Sequence, residues 1–124
     1  MKNLLFIPLF FVSQMVICQT RIGKFMVAEN DFPETMPLDE AIEACADLGD
    51  GWRLPTMDEL NLMYENKDKI GGFAKEYYWN STVAYDDDMA AMLQNFDDGL
   101  QTGLSKNEFN CSWNYYLVRC VRDF

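Results

Sequence analysis

The sequence contains no histidine at all. That absence removes the Ser-His-Asp and Cys-His triads, the H-E-x-x-H zinc site and every histidine general base. Basic residues are scarce as well, with 10 Lys and Arg against 20 Asp and Glu and a formal charge of −10. A surface of that sign repels phosphate backbones and anionic lipid, so nucleic acid is not expected as a partner, nor is polybasic docking to a membrane. Nor does the chain hold an apolar run of the roughly 20 residues a membrane-spanning helix needs. Its most apolar stretch, Leu4 to Val12, is less than half that length.

What that stretch does resemble is an export signal. Lys2 supplies the positive start, Leu4 to Val12 the apolar centre, and Val16-Ile17-Cys18 a cleavage site with Val16 at −3 and Cys18 at −1. Residues 1–18 are therefore read as a signal peptide, and residues 19–124 as one domain beginning at Gln19. A lipid-bearing Cys18 is the alternative, but such sites want a small residue before the cysteine, and Ile17 is not small. Loss of Lys2 takes the charge from −10 to −11. The remaining length suits a single hydrophobic core. Without Cys18 the cysteines are Cys45, Cys111 and Cys120. In an oxidising compartment this odd number predicts one disulfide and one leftover thiol, with three pairings open.

Periodicity divides the mature chain in two. Lys24 to Ala28 is short and β-prone, a candidate first strand. Leu38, Ala41, Ile42, Cys45 and Leu48 then fall on one helical stripe with acids between them, and Pro37 and Gly49 punctuate its ends. The stripe turns Cys45 toward the core. Thr56 and Glu59 have the S/T-x-x-E spacing of a capping box opening a second helix, with Leu60, Met63 and Tyr64 on its buried side. This helix is predicted to fray by Lys69-Ile70 and stop at Gly71-Gly72. Strands follow: Glu76 to Thr82, then Met89 to Phe96 and Leu100 to Leu104 flanking an Asp97-Asp98-Gly99 turn. A last strand runs from Tyr115 to Arg122, with Tyr116, Val118 and Cys120 on one face. Helices followed by an antiparallel sheet make an α+β plan.

Five motifs in order carry a resemblance. They are Ala41 to Cys45 (Ala-x-x-x-Cys), Trp52 to Leu60 (Trp-Arg-Leu-Pro-Thr-x-x-Glu-Leu), Tyr78 to Thr82 (Tyr-Trp-x-Ser-Thr), Phe96 to Gly99 (Phe-x-Asp-Gly) and Tyr116 to Val121 (Tyr-x-Val-Arg-Cys-Val). Together they resemble the Lcl C-terminal-like domain family, a bacterial domain of unknown function also found at the end of a collagen-like surface adhesin. More distantly, Arg-Leu-Pro-Thr before a helix is similar to formylglycine-generating and sulfatase-modifying domains. The resemblance implies a C-type-lectin-like fold: two helices packed on a small twisted antiparallel sheet, with the N- and C-terminal strands paired. It also implies a disulfide between Cys45 and Cys120, leaving Cys111 as the odd thiol. The formylglycine-generating domains use two closely spaced C-terminal cysteines, whereas Cys111 and Cys120 stand nine apart here.

Candidate site residues lie in loops, which are free to carry recognition on a rigid scaffold. Tyr85, Asp86 and Asp88 form one group, and Trp113 with Asn114 the other, in a segment from Phe109 to Tyr115 that mixes aromatic faces with amides and a hydroxyl. Such a mixture suits contact with a glycan or a protein. Asp86, Asp87 and Asp88 are the carboxylates best placed for calcium. Successive side chains of an extended segment alternate sides, however, so at most two converge. The Glu-Pro-Asn, Gln-Pro-Asp and Trp-Asn-Asp motifs of sugar-binding C-type lectins are absent. No cofactor is expected. Trp52, Arg53, Leu54 and Trp79 read as a packed corner rather than a site. The expectation is a secreted, periplasmic or cell-surface recognition domain that is not an enzyme and binds a glycan or cell-surface protein. Two alternatives stand beside it: a thiol-dependent enzyme or redox domain using Cys111, and a structural subunit of a surface assembly.

Overall fold

The computed structural model describes residues 19–82, 89–105 and 114–124. Among these residues it is an α+β arrangement of two antiparallel three-stranded sheets and three helices. The first sheet joins the chain ends. β1 (Thr20–Ile22) turns at Gly23, which has φ 56°, into β2 (Phe25–Val27). β2 then pairs with β6 (Val121–Asp123), giving the order β1-β2-β6. β1 was not foreseen, because three residues are too few to show a period.

α1 (Leu38–Asp47) starts after an extended Pro37 with Asp39 and Glu40 in its first turn, where the helix dipole favours acids. It buries Ala41 and Cys45 only. The expected five-residue stripe is thus too wide: Ile42 is 48 % exposed and Leu48 49 %. At 3.6 residues per turn Ile42 stands about 80° from the midline between Ala41 and Cys45, and Leu48 is already the C-cap. Ala41 and Cys45 are small, so the helix lies close on the core along a narrow line.

α2 (Met57–Glu65) opens with the capping box as expected. Thr56 Oγ1 accepts from the Glu59 amide at 3.2 Å, and Glu59 Oε1 accepts from the Thr56 amide at 2.9 Å. Leu60 and Met63 are buried, while Tyr64 is half-buried. The helix ends earlier than expected, at Asn66, whose side-chain amide caps the Leu62 carbonyl at 2.8 Å. A separate turn, α3 (Lys67–Ile70), carries the chain to Gly71. A side chain that takes over a helix-terminal carbonyl competes with further α-helix, which accounts for the break.

The second sheet is β3 (Tyr77–Trp79), β4 (Met89–Asn95) and β5 (Gln101–Ser105), in that order. The Asp-Gly turn joins β4 to β5. Asp98 Oδ1 accepts from the Leu100 amide at 2.9 Å, and the Gly99 amide donates to the Asn95 carbonyl at 2.8 Å. Gly99 is fixed twice over. Its φ is 83°, and a Cβ there would fall 2.6 Å from the Tyr64 ring.

The expected strand from Tyr115 to Arg122 is the largest correction. Only Val121–Asp123 is a strand of the first sheet. Upstream, Tyr116 bridges Met36, and Leu117 makes a parallel bridge to Tyr78 in the second sheet. Val118, Arg119, Cys120 and Val121 are all buried in succession. A strand with one solvated face cannot do that. The segment instead threads between the two sheets, so both of its sides meet protein. On one side lie Ala41, Cys45, Leu54, Trp79, Leu93 and Val118; on the other, Ile22, Phe25, Leu60, Met63, Tyr78 and Phe96. Trp79 is buried as expected, but Trp52 is only half-buried, packed on the first cluster with the Arg122 guanidinium 5.5 Å from its ring centroid.

Cys45 is bonded to Cys120, as the resemblance implied, with their Cα atoms 5.7 Å apart and a sequence separation of 75. It ties α1 to the start of β6. Closing a loop of that length restricts the unfolded chain by about 4 kcal/mol in the chain-entropy account. The double variant Cys45→Ala/Cys120→Ala is expected to lose stability on that scale, read as a fall in denaturant midpoint. An unchanged midpoint would show that the bond contributes nothing to the folded state.

Candidate functional site

A buried arginine organises the loops beside the candidate site. Arg119 is 1 % exposed. Its Nε donates to Asp31 Oδ1 at 2.6 Å, Nη1 to the carbonyls of Ala28 at 3.1 Å and Glu29 at 3.4 Å, and Nη2 to the Gly71 carbonyl at 3.2 Å. The guanidinium also lies 4.2 Å over the Phe73 ring. Asp31 Oδ2 accepts from the Tyr78 hydroxyl at 2.6 Å, and that hydroxyl accepts from the Ala74 amide at 2.9 Å. Burial, reinforced by the bond to Asp31, raises the Tyr78 phenol well above its ordinary range, so it stays neutral. One network thus fixes the loop after β2, the stretch from Gly71 to Ala74, and the terminal segment.

Ala74 joins this network to a cleft of about 500 Å³ lined also by Thr35, Glu76, Tyr77, Tyr115, Tyr116 and Leu117. The Tyr77 and Tyr116 rings meet edge to face at 5.9 Å, and Tyr116 meets Trp79 the same way at 5.0 Å. The Trp79 indole N–H donates to the Met36 carbonyl at 2.7 Å, which locks the base of this aromatic stack. Tyr115 is 49 % exposed. Among the described residues no lysine or arginine lines the cleft, and Glu76 is its one carboxylate. A second cleft, about 540 Å³, lies around Lys67, Asp68, Gly71, Gly72, Lys75 and Asp97, where two cations face two carboxylates.

The structure places one of the expected site residues. Asn114 is 7 % exposed, and its Nδ2 has no hydrogen-bond partner among the described residues. Its neighbour Tyr115 lines the cleft, whereas Asn114 does not. Tyr85, Asp86, Asp87, Asp88, Cys111 and Trp113 lie outside the described residues. Sequence reasoning missed Tyr77 and assigned Tyr116 to a strand face. The available signal was Tyr115, the last aromatic of the mixed Phe109 to Tyr115 segment.

Arg53, expected in a packed corner, anchors a second ionic group. It reaches Glu59 through two bonds of 2.7 and 2.9 Å, and Asp123 of β6 at 2.8 Å. The Glu59 carboxylate thus caps α2 and holds Arg53 together. The bond from Arg53 is the main cause that pulls the Glu59 pKa below its ordinary value; burial opposes it.

Two predictions come from these networks. Arg119→Leu leaves Asp31 facing a buried apolar side chain and is expected to cost about 3 to 5 kcal/mol, measured by chemical unfolding. A cost under about 1 kcal/mol would mean that the network is not a support. For Glu59, a depressed folded pKa gives stability that is present above the unfolded value of about 4.3 and lost as pH falls through the folded value. Glu59→Gln is therefore expected to flatten the loss of unfolding midpoint on acidification below about pH 4; an acid profile identical to the parent would remove Glu59 as the cause. Compared with known proteins, the chain matches no family model and no curated protein.

Proposed function

We propose that the chain is an exported, non-catalytic recognition domain of C-type-lectin-like fold, acting at the cell envelope on a glycan or protein partner. The observation that carries this reading is the tyrosine-lined cleft seated on a disulfide-tied, ion-paired frame. Tyrosine presents an apolar ring with a polar tip at little entropic cost, which suits saccharide and protein surfaces alike. The pairing of N- and C-terminal strands and the Cys45–Cys120 bond support the lectin-like assignment. That disulfide, together with the signal-like residues 1–18, supports export to an oxidising compartment. A non-catalytic role is supported by the chemistry of the cleft wall. Glycoside hydrolysis ordinarily takes two carboxyl groups, and among the described residues the wall supplies Glu76 alone.

The test is a glycan array and a pull-down from envelope extracts, both with the secreted protein. Tyr115 is half exposed and lies outside both buried clusters, so Tyr115→Ala is expected to keep the fold. It should weaken the captured partner by more than about 1 kcal/mol, roughly fivefold, as an anchor residue does. Unaltered affinity in the folded variant would refute the cleft as the recognition surface.

A further inference from the structure

The cleft wall has a chemical bias that narrows its ligand. We propose that it binds a quaternary ammonium group, the chemistry of a choline head, with Tyr77, Tyr115 and Tyr116 supplying ring surface and Glu76 the counter-charge. This assignment rests on the reading of the cleft as the recognition site.

Three observations point the same way. Three of the seven lining residues are tyrosines, whose ring faces carry the negative end of a quadrupole and attract cations within about 6 Å of the centroid. Among the described residues the one formal charge on the wall is the carboxylate of Glu76, and the whole chain carries −10, so its field draws cations and repels anions. Ala74 and Leu117 add apolar surface, and Thr35 a hydroxyl. A primary ammonium is strongly hydrated and must give up that water to reach a ring face. A methyl-clad ammonium needs no acceptors and meets the rings with apolar surface of its own. The other cleft also has two rings, Phe73 and Phe96, but its lysines Lys67 and Lys75 are matched by Asp68 and Asp97, so its described charges cancel. The volume of about 500 Å³ lies within the ordinary range for small-ligand sites. Rigidity matters too, because a cation–π site works only when the rings wait in place. The edge-to-face contacts of Tyr116 with Tyr77 and Trp79 provide that.

The experiment titrates the secreted protein with choline and, separately, with its neutral analogue in which carbon replaces the ammonium nitrogen. Both have the same shape, so apolar burial is common to the two and only the charge differs. Choline is expected to bind about tenfold more tightly, the upper range of cation–π attraction. The amide chemical shifts that move should be those of Tyr77 and of Tyr115 to Leu117. Tyr115→Leu keeps apolar surface and is expected to cut choline affinity about fivefold while sparing the analogue. Glu76→Gln should weaken choline and flatten its salt dependence. Equal affinity for the two compounds overturns the assignment, as does absence of choline binding or shifts confined to other surfaces. These failures are separable from failure of the recognition reading. A glycan or protein whose capture depends on Tyr115 but is not displaced by choline keeps that reading and removes the cation. Tyr115-dependent choline binding with no Tyr115-dependent partner keeps the cation site and removes the macromolecular partner.

Discussion

Much of this structure depends on the burial of one guanidinium. An arginine taken out of water carries a desolvation cost of several kcal/mol unless its donors are matched by acceptors. Around Arg119 the matching is close: a carboxylate oxygen, three carbonyls and an aromatic face surround it. The three carbonyls come from Ala28, Glu29 and Gly71, positions with no regular structure of their own. What an irregular backbone lacks in ladder hydrogen bonds it receives here from a side chain. The same matching explains why Gly72 sits where it does, since a Cβ there would meet Arg119 Nη2 at 3.1 Å. Asp31 extends the arrangement to Tyr78, so a strand of the second sheet is tied to a loop of the first.

The terminal segment performs a related role along the backbone. Val118, Arg119, Cys120 and Val121 link the two sheets, accepting from the stretch after β2 and exchanging bonds with Arg53. The Val118 and Cys120 carbonyls accept from Phe32 and Ala28, and Val121 exchanges both bonds with Arg53 at 2.8 Å. The disulfide then fixes α1 to this segment. Contacts here join residues near opposite ends of the chain, so closure of the fold depends on its last few residues. Such non-local pairing is slow to form, because its loop-closure entropy must be met before the contacts exist.

Legibility in the sequence followed the length and regularity of each pattern. The capping box at Thr56 and Glu59, the Asp98-Gly99 turn and the inward face of Cys45 were all readable, because each is a local rule with a local cause. β1 and the short β3 were missed or overextended for want of residues to show alternation. The Tyr115 to Arg122 strand failed for a different reason. Its apparent alternation came from tyrosines, valine and cysteine, while an arginine in its midst signalled burial with a partner rather than a solvent face. The partner, Asp31, lies 88 residues away, and no local rule could name it. Arg53 was similarly read as packing, since its two carboxylate partners lie on different elements. The site was legible only to the extent that Asn114 and Tyr115 ended an aromatic-polar segment. Tyr77 joins them through tertiary structure alone.

The cleft also shows where stability and recognition divide within one aromatic group. Trp79 is committed wholly to the core, and Tyr77 and Tyr116 are half-buried with rings held edge to face. Tyr115 is half exposed and belongs to neither buried cluster. Exposure falls stepwise from Tyr115 to Trp79, so the inner rings set the position of the outer surface while the outer ring is available to a ligand. A single exposed tyrosine is unremarkable on a protein surface. One that lines a cleft with two fixed rings and, among the described residues, a single carboxylate and no cationic side chain has neighbours that favour a positive ligand. The proposed recognition role rests on that grouping rather than on the exposure of one ring.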